Sequence, residues 1–407
     1  MSSVNVEIMD PVTATGRYLL HPKMHLPESE LPPLLPSMAI EGLPPMRQSM
    51  YLPEAEKLVM TYVERWQIVS LDSFFLLGLS LTGFIHSGVI SVDRLVAMAI
   101  LYGILFVLDD LFIDSPNDIL LGQYGIAPSI RNSPDQIKEY LDKVLNEIFG
   151  QKSKPLPSSA NPVEMIFWEV GHDIQRLSNA EWFNTFVEGI NEWFQASISS
   201  HADIVSGHNL CVQDLKSYSR MRAGNFGGTF IQLLQEFASE CYLTEEMRSL
   251  PFMLEAKSAA TMHMAFVNDI YSYHKESMQE ENPRNLITVL MESEEKTFVQ
   301  AVHAAIGLAN LHARTILDLE LKTSNSAVQR HLQGLKELIA GQLYYSTVQK
   351  RYRHPDSFFP ELRDVIASPP VASHSTNGES PGQALLTYNA LAGVPLPIGQ
   401  TVRVPGP

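Results

Sequence analysis

Three short stretches of this 407-residue chain set oxygen donors and phosphate-seeking groups at helical spacing. In Asp109-Asp110-Leu-Phe-Ile-Asp114, three carboxylates close an uncharged apolar run, Leu95–Leu108. Asp110 and Asp114 are four residues apart and share a helix face. The C-terminal end of a helix is electronegative, so aspartates belong there only if cations join them. Carboxylate oxygens are hard ligands suited to Mg²⁺, which typically takes one or two carboxylates together with substrate phosphates. In Val267-Asn268-Asp269-Ile-Tyr-Ser272-Tyr-His-Lys275-Glu276, the residues Asn268, Ser272 and Glu276 recur every fourth position. At about 100° per residue they fall within an arc of roughly 80°, with Lys275 about 20° from Asn268. An amide oxygen, a hydroxyl and a carboxylate on one stripe, beside an ammonium, make an oxygen-donor metal site with an anion contact. In Lys350-Arg351-Tyr352-Arg353, arginine offers bidentate phosphate binding and the tyrosine hydroxyl can donate to the same group.

Each stretch alone has a plainer reading. An aspartate cluster can be a solvated helix end on an acidic protein, and a polar i, i+4 pair a wet helix face. A basic helix terminus can simply offset the dipole. Arg220-Met-Arg222-Ala-Gly224 can be an ordinary linker, although its arginines precede a glycine-rich break. A separate constellation, His172-Asp173 with His201 and His208, suggests a metal phosphohydrolase of the HD type. That reading leaves the stripe and the Arg-Tyr pair without a role.

The elements that must position these groups are helical. Scarcely any segment alternates with period two, and apolar residues recur at helical spacing through most of the chain. Helices are predicted over 54–69, 71–86, 92–113, 134–149, 162–176, 180–201, 244–281, 286–317 and 326–353, with another through Glu240 after the break at 222–228. Ser115-Pro116-Asn117 should end the aspartate-bearing helix. The fold class is therefore all-α, with one domain over 51–365. A proline-rich irregular arm is expected at 1–50, and a Pro/Gly/Ser-rich, disordered tail at 366–407.

Composition narrows the partners. With 45% hydrophobic residues the chain can bury a large core, and its net charge of −16 disfavours nucleic acid or an anionic membrane surface. The apolar runs Phe74–Ile85 and Leu95–Leu108 fall short of the ~20 residues needed to span a bilayer. Only two cysteines occur, Cys211 and Cys241, and the N-terminus lacks the pattern of a secretion signal. A cytoplasmic location is the expectation.

Taken in order, DDLFID, NDIYSYHKE and the RY pair resemble the aspartate-rich motif, NSE triad and C-terminal Arg-Tyr pair of class I terpene synthases. Within that family the wording is most similar to fungal trichodiene-synthase-like sesquiterpene synthases, over roughly residues 60–360. The second DDxxD motif of chain-elongating prenyl diphosphate synthases and the DxDD motif of class II cyclases are absent. The resemblance implies a helical bundle around a central apolar cavity and a reaction that ionises farnesyl diphosphate and cyclises the cation. A C20 or C10 diphosphate, or a non-catalytic protein of the same fold, is the alternative. It makes Asp109 the main Mg²⁺ ligand of the first motif and gives another ion to Asn268, Ser272 and Glu276, with three ions in all around the diphosphate. Lys275, Arg351 and Tyr352 would contact the diphosphate, and Asp110 would pair with Arg351 on closure. The family's diphosphate-sensing arginine falls at Arg222, or at Arg220 after a small gap; Asp114 is left without a definite role. Relatives are often homodimers.

A cation that must survive to cyclise needs an apolar cavity with aromatic faces. Tyr102 and Phe106 lie on about the face of Asp109, one to two turns deeper. Phe74, Phe75, Trp193, Phe194 and Tyr345 are the further lining candidates, the last standing where the family often carries Trp. Any of them can equally be plain core.

Overall fold

The computed structural model describes residues 31–66, 72–109, 111–112, 121–122, 124–150, 155–205, 214–279, 283–320 and 323–363. Asp110, Asp114, the Ser115–Asn117 break, His208, Cys211 and the tail expected at 366–407 lie outside them. In chain order the α-helices are α1 (Leu34–Met38), α2 (Leu52–Trp66), α3 (Asp72–Ile85), α4 (Val92–Asp109), α5 (Pro134–Lys143), α6 (Pro162–Arg176) and α7 (Ala180–Val205). They continue with α8 (Leu215–Asn225), α9 (Gly228–Ser239), α10 (Glu245–Arg248), α11 (Pro251–Gln279), α12 (Leu286–Ser293), α13 (Phe298–Glu320) and α14 (Ser326–Val348). No strand occurs among the described residues, and none of their helices is long and apolar enough to cross a membrane.

Helix α4 is apolar over most of its surface because nearly all of it is buried. All of Arg94–Leu105, with Val107 and Leu108, is buried. Its partner α3 meets it backbone to backbone. A Cβ on Gly78 would lie 2.4 Å from the Ala99 carbonyl oxygen, and one on Gly103 would lie 2.4 Å from Cδ1 of Phe75. Helix α4 is also fixed at its start. The buried Arg94 donates to the Phe237 carbonyl at 2.7 Å and pairs with Glu240 at 3.0 Å, tying it to the end of α9. Across the bundle the long α11 packs on α13 and α14, and α14 returns to α3. Helices α7, α8 and α9 complete the wall, with α7 packed against both of the others.

Several boundaries depart from the sequence expectation. Residues 31–50 are irregular outside α1, as expected, but they are packed: α1 lies on α13 and α14 with Leu34 and Met38 fully buried, and Asn310 donates to the Ser37 carbonyl at 2.8 Å. Burial of these side chains makes the segment part of the domain. The helix expected over 244–281 divides at Ser249–Leu250, because Pro251 has no N–H to continue the ladder and starts α11 instead. The helix expected over 286–317 is interrupted by a loop in which Glu295 takes a left-handed φ of 52°. The helix expected over 326–353 stops at Val348, where Gln349 turns extended and its side chain donates to Ser80 at 2.5 Å in the core. A single 3₁₀ turn then carries Lys350–Tyr352.

Candidate active site

One cavity of about 530 Å³ opens between α3, α4, α7, α8, α11 and α14. It lies within the ~300–1,000 Å³ usual for small-ligand sites. Each motif reaches it by a different route. Helix α4 delivers Asp109 at its last residue, with Tyr102 and Phe106 on the same wall. At 1.5 Å rise per residue, Tyr102 lies about 10 Å deeper than Asp109. Helix α11 delivers Asn268, Ser272, Lys275 and Glu276 from one face, and Met264 a turn below them. The break after α14 brings in Arg351 and Tyr352, while Tyr345 lines the wall from the helix itself. The inner wall is therefore apolar and aromatic, with Leu77, Leu81 and Phe230, and the mouth carries the charges.

Helix α8 supplies the central cation. Its last turn ends at Asn225, and Gly227, at φ 77°, lets the chain reverse into α9. Trp193 of α7 donates to the Asn225 carbonyl at 2.9 Å and holds that break in place. The Arg222 guanidinium reaches Asp269 through Nε at 2.9 Å and Nη2 at 2.8 Å, and donates from Nη2 to Oδ1 of Asn268 at 2.8 Å. Asp269 also accepts from the Tyr218 hydroxyl at 2.5 Å. Arg220, two residues earlier, is exposed and does not line the cavity, so burial separates the two arginines.

The stripe is held by neighbours. Asn268 donates from Nδ2 to the Tyr352 hydroxyl at 3.0 Å, linking α11 to the turn after α14. Asn285 caps α12 by accepting from the Ile287 N–H, and its amide donates to Oε2 of Glu276 and to the Asp269 carbonyl, each at 2.8 Å. The Arg351 guanidinium lies 6.0 Å from the Phe106 ring centroid. Burial, and then the charge of Asp269, raise the Glu276 carboxyl above the ordinary range. Burial works against the charge of Arg222, but Asp269, Tyr218 and Glu276 outweigh it and keep the guanidinium protonated. Burial likewise raises the Tyr352 phenol. Buried carboxylates facing a cavity mouth favour cations there.

The donor set fits a hard divalent ion. Asp109, Asn268, Ser272 and Glu276 present only oxygen, the chemistry that suits Mg²⁺. Among the described residues no three His, Cys, Asp or Glu side chains cluster closely enough to hold a metal. An ion on the stripe would therefore use the amide and hydroxyl oxygens and be completed by ligand phosphates.

Two aromatic expectations are corrected. Phe75 does not line the cavity: it is fully buried against Gly103 of α4, with its ring 5.3 Å from Trp66, because the α3–α4 contact needs that side chain. Phe194 borders a small side pocket instead of the main cavity. Phe74, Trp193, Tyr102, Phe106 and Tyr345 do line it. Among the described residues the histidine–aspartate alternative is not assembled. His172 bonds the Trp168 carbonyl, Asp173 is taken by Tyr62 and Arg176, and His201 bonds the Arg131 carbonyl. Sequence reasoning missed Tyr218, Asp269 and Asn285. Only Asn285 had a signal, as an asparagine immediately before a predicted helix.

Comparison with known proteins bears on the family and the fold. The family model described as terpene synthase family 2, C-terminal metal binding, matches residues 101–314. The 10-epi-cubebol synthase of Sorangium cellulosum (strain So ce56) is 30% identical over 128 residues, 30% of this chain and 40% of that protein. A Delta(6)-protoilludene synthase of Armillaria gallica is 21% identical over 160 residues, 39% of this chain and 44% of its own. The matches thus span less than half the length of these two relatives. Among solved structures, the SVS_A2 protein from ancestral sequence reconstruction superposes with a TM-score of 0.61 at 18% identity, covering 75% of this chain and 90% of its own. Germacradien-4-ol synthase from Streptomyces citricolor gives a TM-score of 0.59 at 17% identity, covering 76% and 97%. These two show a shared fold.

Proposed function

The chain belongs to terpene synthase family 2, defined by its C-terminal metal-binding region, and from that premise we propose that it is a Mg²⁺-dependent class I terpene cyclase acting on farnesyl diphosphate. The observation that carries the reading is the single cavity that joins Asp109, the Asn268–Ser272–Glu276 stripe and the Arg351–Tyr352 turn above an aromatic wall. The C15 substrate rests on the resemblance to trichodiene-synthase-like sesquiterpene synthases. A cytoplasmic location and a homodimer rest on the composition and on that same resemblance.

In this reading Asp109 would hold metal from one wall, and Asn268, Ser272 and Glu276 would hold it from the other. When bound, Mg²⁺ supplies positive charge against the leaving diphosphate. Lys275, Arg351 and Tyr352 orient the diphosphate, and Arg222 approaches it from α8. These donors face the oxygens on which charge develops as the allylic C–O bond breaks and its electron pair leaves with diphosphate. Asp110 is the proposed partner of Arg351 on closure. The apolar wall excludes water from the allyl cation, and the aromatic residues Phe74, Tyr102, Phe106 and Tyr345 that line it offer electron-rich rings to the positive charge. Ring closure then uses the distal double bonds of the substrate.

Diphosphate release from C10, C15 and C20 prenyl diphosphates, with and without Mg²⁺, tests the proposal. Release is expected to be fastest with the C15 substrate and to need the metal. No release from any of the three would return the chain to a non-catalytic protein of this fold.

A further inference from the structure

Behind the aromatic wall runs a buried polar chain that ionisation does not use. The hydroxyl of Tyr102 is 3.1 Å from Nε2 of His86, and Nδ1 of His86 is 2.7 Å from Oε1 of Gln235. Tyr102 lines the cavity, whereas His86 is completely buried one layer behind it. The amide oxygen of Gln235 can only accept, so Nδ1 carries the imidazole proton and Nε2 accepts from the Tyr102 hydroxyl. Helix α14 leaves room for this arrangement: a Cβ on Gly334 would lie 2.9 Å from the Gln235 amide nitrogen. A neutral base is thus connected to the cavity through one phenol and kept out of contact with whatever occupies it.

We propose that Tyr102 accepts the last proton of the cyclised cation while passing its own hydroxyl proton to His86, so that the reaction ends in an olefin. The inference rests on the cyclase reading above. A C–H bond next to the cationic carbon breaks, and its electron pair forms the new C=C bond. The proton joins the Tyr102 oxygen as the original hydroxyl proton moves to Nε2 of His86. The phenol is regenerated, the cation is neutralised and His86 becomes an imidazolium that donates to Gln235. Direct exposure of the imidazole would invite its alkylation by the carbocation. Placing the phenol in front gives access to the base without that risk. Burial lowers the His86 pKa to about 4, so once product leaves the imidazolium returns its Nε2 proton through the Tyr102 hydroxyl to diphosphate or water in the cavity, and the site resets.

The test compares the full-length protein with Tyr102→Phe and His86→Gln, each given farnesyl diphosphate and Mg²⁺. Diphosphate release reports ionisation, and GC–MS of the extract reports how the cation is quenched. His86→Gln retains an acceptor for Tyr102 and a donor for Gln235 but has no basic nitrogen, so a merely structural role would leave its products unchanged. In both variants the main olefin is expected to fall at least tenfold relative to hydroxylated or earlier-quenched products, and in His86→Gln, whose side chain does not line the cavity, diphosphate release is expected to persist. A product ratio within twofold of wild type in His86→Gln overturns the relay, whatever Tyr102→Phe does. A wild-type product that is an alcohol overturns it as well. If wild type releases no diphosphate, the cyclase reading falls and the relay falls with it.

Discussion

Replacing Asp269 by asparagine probes the interaction that holds the central cation of the site. The carboxylate accepts from Nε of Arg222 at 2.9 Å and from Tyr218 at 2.5 Å, lies 2.8 Å from Nη2 of Arg222, and its side chain is 1% exposed. Asparagine keeps the shape but removes the charge and turns one acceptor into a donor. Arg222 would then keep hydrogen bonds only to the neutral amides of Asn268 and Asn225, with Glu276 the remaining carboxylate near it. Stranding one member of a buried ion pair costs about 3–5 kcal/mol. The Arg222 side chain retains 17% exposure towards the cavity mouth, which places the expected loss near the lower end, about 3 kcal/mol. At about 2 °C per kcal/mol for a large domain, the melting temperature should fall by about 6 °C. Chemical denaturation of Asp269→Asn, Arg222→Met and the double variant closes a cycle, with an expected coupling of at least about 2 kcal/mol. A loss below about 1 kcal/mol with additive singles would refute the claim that this pair fixes the arginine.

Other consequences are spread across the fold. Glu236 and Arg248 form a buried two-point pair at 3.2 and 2.7 Å; Glu236→Ala should cost about 3–5 kcal/mol in denaturation, and Glu236→Leu with Arg248→Met should recover most of it. Gly103→Ala should cost about 1–3 kcal/mol by separating α3 from α4. Gly307→Ala, on an open face of α13 with nothing within 4 Å, should stabilise by up to about 1 kcal/mol; equal effects in thermal melts would contradict the close-contact account. Burial lowers His86 and His263 to about 4 and His331 to about 3, the second beside His312 and the third beside Lys257 and Arg248. Because the unfolded chain binds these protons first, at about 6.5, their contribution is intact above that pH and is lost as pH falls towards 4. The loss is about 2 kcal/mol for each histidine at pH 5. A stability profile flat from pH 7 to 5 would contradict the neutral burial of these imidazoles.

What could be read from the chain depended on whether the signal was local. Asp109 was legible because Leu95–Leu108 leads into it without a charge, and the Asn268–Glu276 stripe because helical spacing alone puts its members on one face. Arg351 and Tyr352 were legible as residues but not as geometry. They reach the cavity because Gln349 leaves the helix to bond Ser80, a contact 269 residues away in sequence. Asp269 was hidden for the same reason. It sits beside the stripe and matters only because α8 lays Arg222 and Tyr218 against it. The second bonding direction of Asn285, from its cap to Glu276, is likewise a product of packing. Phe74 and Phe75 are adjacent, and period alone could not say which one faces the cavity and which one packs against Gly103.

The most direct test of the account is the product of the full-length protein given farnesyl diphosphate, measured by GC–MS with Mg²⁺, with the metal chelated, and in Asp109→Asn and Asn268→Ala. The account predicts a cyclic C15 product that vanishes on chelation and drops at least a hundredfold in both variants, although each remains folded. Full product formation without divalent metal, or undiminished turnover in both variants, would contradict it.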